Sequence, residues 1–304
     1  MIVPNSGLWA VFTIAAAGAQ TSRNAMQREL VETVGLAGAT YVRFLYGLPF
    51  AAVFLAGACL ASGHPPDPIS LVAFALTALG AVAQILATGS MLAAMRDRSF
   101  VATIAYTKTE PILVALFGLI ALGDRVSALG ALAIIVATIG VVLLSWPKGS
   151  KARDERDNAG LRPAALGLGA AAGFALSAVG YRAGILALGG PSFLLGASTI
   201  LVLALLIQSA LIIGHLALFD RPLLKNLLVA WRPSLFAGLM GACASQLWFL
   251  ALALETAARV RALGLVEVVF AQIVTRRIFK QAPSWRELGA IALIVLGVAL
   301  LLAA

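Results

Sequence analysis

Ten apolar runs of about 20 residues dominate the 304-residue sequence, and short polar turns separate them. A helix needs about 20 apolar residues to cross the hydrocarbon core of a bilayer, whereas a strand of an outer-membrane barrel needs only about ten. The runs therefore predict membrane-spanning helices. They lie near residues 7–22, 36–61, 70–94, 99–122, 126–145, 163–185, 192–218, 232–253, 260–279 and 285–303.

The composition excludes a soluble globular protein. Hydrophobic residues make up 61% of the chain and charged residues 12%, and the mean hydropathy is +0.99. The expected fold is therefore an all-α integral membrane protein. The N-terminal MIVPNSGLW has no basic start and no small-residue cleavage site, so the first span is expected to direct insertion.

The basic residues predict how the chain is oriented in the membrane. The net charge is +9, and 16 of the 22 Lys and Arg residues, including Arg23 and Arg28, fall in odd-numbered turns, against four in even-numbered turns. By the positive-inside rule, the odd turns face the cytoplasm and both termini lie on the periplasmic side of a bacterial inner membrane. Because these residues are scattered and form no binding motif, no nucleic-acid partner is expected.

The sequence divides into two halves of similar length. A polar basic linker, residues 147–162, separates residues 1–146 from residues 163–304. The fifth span, GALAIIVATIGVVLL, parallels the tenth, GAIALIVLGVALLLA, and the mid-span glutamates Glu110 and Glu267 fall in the fourth and ninth spans. Since each half has an odd number of spans, the second half is expected to be inverted relative to the first. Two inverted five-helix repeats around a central cavity are typical of alternating-access transporters.

Several motifs together carry a resemblance to a known family. The stretch YVRFLYGLPF, the fourth span that runs into LGDR, and the closing helices GALAIIVATIGVV and GAIALIVLGVALL resemble the EamA type of the drug/metabolite transporter superfamily. The region SMLAAMRDRSFVATIAYTKTEPILVALFGLIALGDR further resembles bacterial aromatic amino acid exporters of that superfamily. The resemblance implies a cavity lined by spans one to four and six to nine, with spans five and ten at the periphery. The second half departs from the first, because it has no equivalent of Arg43 near Ser198 and no proline after Glu267.

Polar and aromatic side chains inside the spans are the candidate substrate-binding or cavity-lining groups. An ionisable residue inside the bilayer costs about 2.5 to 3.5 kcal/mol on insertion scales, so each needs a partner or water. These side chains therefore indicate a solvated interior. The candidates are Arg43, Tyr46, Gln84, Tyr106, Lys108, Glu110, Tyr181, Ser245, Gln246, Trp248 and Glu267.

Each candidate also has a purely structural interpretation. Arg43 either holds a substrate carboxylate or belongs to an ion pair, for instance with Glu110. Glu110 and Glu267 contact a substrate amine or carry a coupling proton, or else they serve as partners of basic residues. The basic residues in question are Arg43, Lys108, Arg259 and Arg261. The neutral polar groups bind a substrate or join helices, and the aromatic rings form a cage or anchor the chain at the interface.

Pro111 predicts a kink or break in the fourth span. It removes one backbone donor and crowds the carbonyl of Thr107. In a transporter such a bend acts as a hinge, and otherwise it is a static kink. Lys108 and Glu110 are two residues apart and are expected to serve different neighbourhoods, whereas Tyr106 and Glu110 are expected to share one helix face.

The sequence predicts a secondary transporter that exports amino acids, including aromatic and other neutral ones, by alternating access. The alternative on the same fold is efflux of drug-like cations or another small metabolite. No nucleotide-binding loop is present, so transport is expected to be passive or coupled to an ion such as the proton. An intramembrane enzyme using Glu110 and Glu267 is a remote alternative, and no metal or cofactor is expected. The expected partners are a small-molecule substrate and the lipid bilayer.

Overall fold

The computed structural model describes residues 7–97, 106–145, 161–270 and 285–304, and these ranges contain helices and no strand. The predicted all-α fold is confirmed within them. Eleven helices have defined bounds there: α1 (Leu8–Leu45), α2 (Leu48–Ser62), α3 (Leu71–Asp97), α4 (Glu110–Leu122), α5 (Ala128–Ser145), α6 (Leu161–Leu188), α7 (Phe193–Phe219), α8 (Arg221–Val229), α9 (Trp231–Leu254), α10 (Ala257–Leu263) and α11 (Trp285–Ala303).

The long helices identify a multi-pass membrane protein. Within the described ranges, six stretches are long and apolar enough to cross a membrane: Leu30–Ser62, Leu71–Ala94, Ala164–Leu188, Phe193–Phe219, Trp231–Leu254 and Trp285–Ala303. Glu110–Leu122 and Ala128–Leu144 are shorter apolar helices. Residues 147–160 of the predicted linker and parts of the predicted fourth and ninth spans lie outside the described residues, whereas residues 161 and 162 already belong to α6. The count of ten spans and their inverted arrangement therefore stay predictions.

The chain forms two compact units. Unit 1 consists of Met1–Val82 and Gly180–Glu255, and unit 2 consists of Ala83–Val179 and Thr256–Ala304. Each unit draws on both halves of the sequence, and boundaries between the units fall within α3 and α6. The division into repeats at residues 1–146 and 163–304 is a division of the sequence and stays a prediction.

Helix α1 contains the first predicted span and the beginning of the second, and it has a sharp break at Gly35. Residues 23–34, which the charge pattern places partly in a turn, are helical, and the backbone leaves the helical region at Gly35, with φ 72° and ψ 171°. This segment has neither glycine nor proline before Gly35, so nothing interrupts the helix earlier. Positive φ is readily adopted only by glycine. The assignment of Arg23 to a turn was therefore wrong, and Arg23 is a buried helical residue.

In unit 1, the bend between α1 and α2 packs closely on α9. Tyr46 and Gly47 separate the two helices, and Pro49 lies in the first turn of α2. A Cβ atom on Gly238 of α9 would lie 2.6 Å from the carbonyl oxygen of Tyr46. Only glycine permits this approach of two backbones, which is how small residues bring membrane helices together.

In unit 2, α5 and α11 form an antiparallel pair through glycines. A Cβ atom on Gly140 would lie 2.9 Å from the backbone nitrogen of Ile294, and one on Gly297 would lie 2.6 Å from that of Ala137. Ile294 and Val141 are buried beside this contact. The fifth and tenth predicted spans therefore pack on each other, as closely packed small-residue faces do in membranes.

Candidate functional site

The candidate residues of the sequence divide between the two units. One group lies in unit 1, on α1, in the bend after α1, on α6 and on α9. The other group lies in unit 2, on α3, in the segment before α4, in α4 itself and after α10. The unit 1 group consists of Arg43, Tyr46, Tyr181, Ser245, Gln246 and Trp248. The unit 2 group consists of Gln84, Tyr106, Lys108, Glu110, Pro111 and Glu267.

The fourth predicted span is interrupted immediately before Pro111. Tyr106 and Thr107 are helical, Lys108 and Thr109 form a turn, and α4 begins at Glu110. The Thr109 N–H bonds back three residues to the carbonyl of Tyr106 at 3.2 Å, and the Thr109 hydroxyl donates to the same oxygen at 2.7 Å. Because proline has no N–H, the chain passes from one helical segment to the next through this tight turn.

A second interruption lies in the ninth predicted span, where the sequence has no proline. Helix α10 ends at Leu263, and Gly264 and Leu265 form a turn before helical residues resume. The N–H of Leu265 bonds to the carbonyl of Ala262 at 3.2 Å, and the N–H of Glu267 bonds to that of Gly264 at 3.0 Å. Both bonds reach back three residues instead of four, so the helix tightens locally. The two mid-span glutamates thus both lie at helix interruptions.

Two ion pairs join these interruptions within unit 2. The guanidinium of Arg261 donates from Nε to Glu110 Oε1 at 2.7 Å and from a terminal nitrogen to Glu110 Oε2 at 2.8 Å. Lys108 Nζ lies 3.7 Å from Glu267 Oε2. Each interruption thus provides one acid and one base, and each acid pairs with the base of the other. The bidentate pair is the stronger of the two, because its fork geometry makes two charge-assisted hydrogen bonds.

These pairs decide between interpretations that the sequence left open. Glu110 has Arg261 as its partner, and Glu267 has Lys108, with a further electrostatic interaction with Arg261. Lys108 and Glu110 do serve different partners, as their spacing predicts. Tyr106 is 38% exposed and lies against Gly167, whereas Glu110 is buried. The turn at Lys108 and Thr109 interrupts the helical periodicity that placed Tyr106 and Glu110 on one face.

Unit 1 contains two neighbouring arginines on α1, of which Arg23 is buried and Arg43 is half-buried. Arg43 and Arg23 both approach Gly241 of α9, where a Cβ atom would lie 3.2 Å from the Cβ of Arg43 and 3.5 Å from the Cδ of Arg23. The two guanidinium groups interact electrostatically, and Arg43 interacts with Tyr181 as well. The Arg43 guanidinium also stacks over the ring of Phe44 at 4.3 Å. Two like charges in a membrane interior are unfavourable unless anionic or hydrogen-bonding groups surround them.

Aromatic and amide side chains lie in the same unit. The Tyr181 ring packs against Phe249, with ring centroids 4.7 Å apart, and its hydroxyl accepts a hydrogen bond from Gln208 Nε2 at 3.0 Å. The Trp248 indole donates to Gln20 Oε1 at 3.0 Å. The result is an interior with both apolar ring faces and hydrogen-bonding groups, which suits a ligand with an apolar part and a polar part.

The Gln246 side chain is only half satisfied. Its Nε2 donates to Ser198 Oγ at 2.9 Å, whereas its buried Oε1 has no hydrogen-bond partner among the described residues. The side chain is 8% exposed. A buried acceptor without a donor costs about 1 to 3 kcal/mol, so water or a bound group is expected at this oxygen.

The remaining candidates have simpler surroundings. The Tyr46 hydroxyl donates to the carbonyl of Leu227 at 2.8 Å. Gln84 on α3 and Ser245 on α9 are half-buried. In the described part of the chain, no group of three His, Cys, Asp or Glu residues is close enough to hold a metal ion.

Several residues of these clusters were missed in the sequence. Arg23 was assigned to a turn, and Arg261 was considered only as one of several partners. Gln20, Ser198 and Gln208 carry no motif, although a polar side chain inside an apolar run was a signal that could have found them.

Comparisons with known proteins agree with this architecture. A search of curated proteins gave no match. A solved structure, described as the crystal structure of a protein, covers 97% of this chain and 98% of its own, with a TM-score of 0.68 and 15% identity, so the likeness shows the fold alone. Residues 7–146, the first half of the chain, match the model of the EamA-like transporter family. This match supports the drug/metabolite transporter superfamily for the chain.

Proposed function

We propose that the protein is a secondary transporter that exports amino acids, with a preference for aromatic and other bulky neutral ones. The observation that carries this proposal is the pair of arginines on α1, Arg23 and Arg43, in the same unit as the rings of Tyr181 and Phe249. Guanidinium groups bind a carboxylate as a fork, and ring faces bind an apolar side chain. The resemblance to aromatic amino acid exporters and the EamA match of residues 7–146 agree with it.

The orphaned oxygen of Gln246 supports a zwitterionic substrate. An ammonium group donates up to three hydrogen bonds, and Gln246 Oε1 is a buried acceptor without a donor among the described residues. Arginines for the carboxylate and an amide oxygen for the ammonium group would together recognise the part that all amino acids share.

The charge pairs of unit 2 argue against the alternative substrates. The two mid-span carboxylates that would attract a drug-like cation, Glu110 and Glu267, already have Arg261 and Lys108 as ion-pair partners. The same pairing disfavours an enzyme in which the two glutamates act as a catalytic dyad, because a general acid or base must exchange its proton with substrate. We assign the two glutamates a structural and conformational part instead.

The interruptions at residues 108–109 and 264–265 support alternating access. Discontinuous helices are typical of secondary transporters, in which they form the substrate site around which one repeat rocks against the other. The Glu110–Arg261 pair joins the two interruptions, so a change at one is transmitted to the other. Coupling to protons would then act by protonating a glutamate of this network and releasing its basic partner.

Counterflow into proteoliposomes tests the proposal. Liposomes preloaded with phenylalanine should accumulate labelled phenylalanine, and this uptake should be competed by other bulky neutral amino acids. Phenethylamine, which lacks the carboxylate, and 3-phenylpropionate, which lacks the ammonium group, should compete at least tenfold less well. Flux of phenethylamine without flux of any amino acid would show that the protein carries cations. Repeating the assay with and without an imposed proton gradient separates proton coupling from facilitated exchange.

A further inference from the structure

Helix α8 is a short segment between two apolar helices of unit 1. It begins at Arg221, directly after α7, and ends at Val229, directly before α9. Both neighbours are long and apolar enough to cross a membrane. A nine-residue helix between two spans lies where the chain leaves and re-enters the bilayer, at the level of the lipid headgroups.

One face of α8 is fixed to the rest of unit 1. Leu227 is fully buried, and a Cβ atom on Gly38 of α1 would lie 3.1 Å from the Leu223 side chain. The Asp220 side chain accepts a hydrogen bond from the N–H of Leu223 at 3.1 Å and so caps the helix. The helix is therefore held in a defined orientation, with its other face outward.

The outward face and its flanks combine apolar and basic side chains. Phe219 is 76% exposed, Val229 81% and Trp231 47%. Arg221, Lys225 and Arg232 are exposed among them. Exposed apolar side chains of this size are costly in water, but they bury in lipid at the headgroup boundary, where tryptophan is enriched. Basic side chains at the same level lie among phosphate groups.

The charge of this face is complementary to an anionic bilayer surface. Its one acid, Asp220, already caps the helix, and Arg221 is held in place by a hydrogen bond of its Nε to the carbonyl of Ala217 at 2.8 Å. The Arg232 guanidinium lies 5.4 Å from the centre of the Trp231 ring. This turn is also one of those that the charge pattern assigns to the cytoplasmic side, where anionic lipids are concentrated.

Helix α8 also contacts the bend that precedes α2. The Tyr46 hydroxyl donates to the carbonyl of Leu227, at the C-terminal end of α8. Tyr46 is three residues from Arg43, and both pack against α9, at Gly238 and Gly241 respectively. Any force that holds α8 in position therefore also holds the bend that carries Arg43.

We propose that the outward face of α8, with Arg221, Lys225 and Arg232, is a binding site for the headgroups of anionic phospholipids. Lipid bound there holds α8 at the membrane surface and, through Leu227 and Tyr46, steadies the bend between α1 and α2. The site does not depend on which solute the protein carries.

Thermal unfolding of the purified full-length protein in lipid nanodiscs tests this site. The apparent Tm should be several degrees higher with phosphatidylglycerol present than in phosphatidylcholine alone. The variant R221Q/K225Q/R232Q should lose at least half of that gain. Lys148, Lys151 and Arg153 of the linker 147–162 offer a matched control, because K148Q/K151Q/R153Q removes the same charge from another turn predicted on the same side. Equal gains in the wild type and in the α8 variant would overturn the proposal.

Two further measurements separate lipid from other causes. Salt at about 0.5 M should reduce the gain, because surface charge interactions are screened within a few ångströms at that ionic strength. Inorganic phosphate added to phosphatidylcholine nanodiscs should give no gain, and a gain equal to that of the anionic lipid would identify a free-anion site instead. Tyr46→Phe should still retain the lipid in native mass spectrometry but lose part of the thermal gain. A full gain in that variant would disprove the link through Leu227.

Discussion

Glu110 accepts two hydrogen bonds from Arg261, at 2.7 and 2.8 Å, and thereby joins the helix that follows one interruption to the helix that precedes the other. The two residues are 151 positions apart in the sequence. A second pair joins the same two interruptions, but here the base, Lys108, lies at the first interruption and the acid, Glu267, at the second. The two acids and two bases at the interruptions therefore form one network without net charge.

The Glu110–Arg261 pair should be more important for stability than the Lys108–Glu267 pair. Glu110→Gln removes both charge-assisted hydrogen bonds of Arg261 and leaves it only the electrostatic interaction with Glu267, and removing one partner of a largely buried pair costs about 3 to 5 kcal/mol. Since Arg261 is about a quarter exposed, we expect a value at or below the lower end of that range. Thermal unfolding in detergent measures it, and Glu267→Gln, which breaks a single 3.7 Å contact, should lower the Tm less.

A charge-reversed double variant provides the control. Glu110→Arg combined with Arg261→Glu should regain part of the Tm that each single substitution loses, because the attraction is restored with the partners exchanged. Additive losses in the double variant would show that the two side chains act independently.

Arg43→Gln and Arg23→Gln should each reduce amino acid transport at least tenfold while the yield of membrane-inserted protein is largely kept. The reason is that a substrate carboxylate bound by two guanidinium groups loses two hydrogen bonds when one of these groups is removed. Arg43→Lys keeps the charge without the fork and should recover little. Initial counterflow rates and quantitative immunoblots of membranes give the two quantities. A parallel loss of yield and transport would instead assign both arginines to the folding of unit 1.

Pro111→Ala should slow turnover and leave substrate affinity nearly unchanged. Alanine restores a backbone donor four residues after Thr107, so the helix can continue through the turn at Lys108 and Thr109 and resist bending there. Concentration-dependent counterflow separates kcat from KM. Wild-type turnover in this variant would show that the interruption at Pro111 does not bend during transport. The second turn, at Gly264 and Leu265, would then be the better candidate for a hinge.

Gly238→Ala should destabilise the protein through a steric clash. Its Cβ atom would lie 2.6 Å from the carbonyl oxygen of Tyr46, a distance that requires α9 and the bend to separate. Gly89→Ala is the matched control, because it lies in a helix and a Cβ atom there meets nothing within 4 Å. We expect a clearly lowered Tm for Gly238→Ala and an unchanged or slightly raised one for Gly89→Ala. Similar Tm values for the two variants would contradict the close packing.

Gly35→Ala should destabilise for a different reason, namely backbone conformation. Gly35 has φ 72°, and a Cβ atom there meets no neighbour within 4 Å, so the expected cost of about 1 to 3 kcal/mol is torsional strain. Gly18→Ala on the same helix also meets no neighbour, and its φ lies outside the positive range. A lower Tm for Gly35→Ala than for Gly18→Ala, from thermal unfolding, is the expected result. Equal values would mean that the break tolerates any residue.

Local features of the sequence predicted much of the fold. Apolar runs predicted the spans that α3, α7, α9 and α11 form, and Pro111 predicted the interruption before α4. The second interruption carries no such signal, because Gly264 has helical φ and ψ and no proline follows Glu267. The polar stretch around Arg23 was assigned to a turn because polarity usually ends a span, yet its residues are good helix formers and the helix continues to Gly35.

The sequence predicted which residues belong to the candidate site, but it did not predict which of them contact one another. The cost of placing a charge or an amide in a bilayer drew attention to Arg43, Glu110 and Gln246 from the sequence. Their partners lie far away along the chain: Arg261 is 151 residues from Glu110, and Ser198 is 48 residues from Gln246. Nothing in the spacing of either pair predicts that they meet.

By itself, the sequence determined that this is a helical membrane protein with charges inside its spans, because hydropathy and backbone chemistry act over a few residues. Only the tertiary structure decided that Glu110 pairs with Arg261 and that Arg23 and Arg43 lie together against Gly241. A charge inside the membrane requires a partner, and helix packing through small residues determines which residue comes close enough to be that partner.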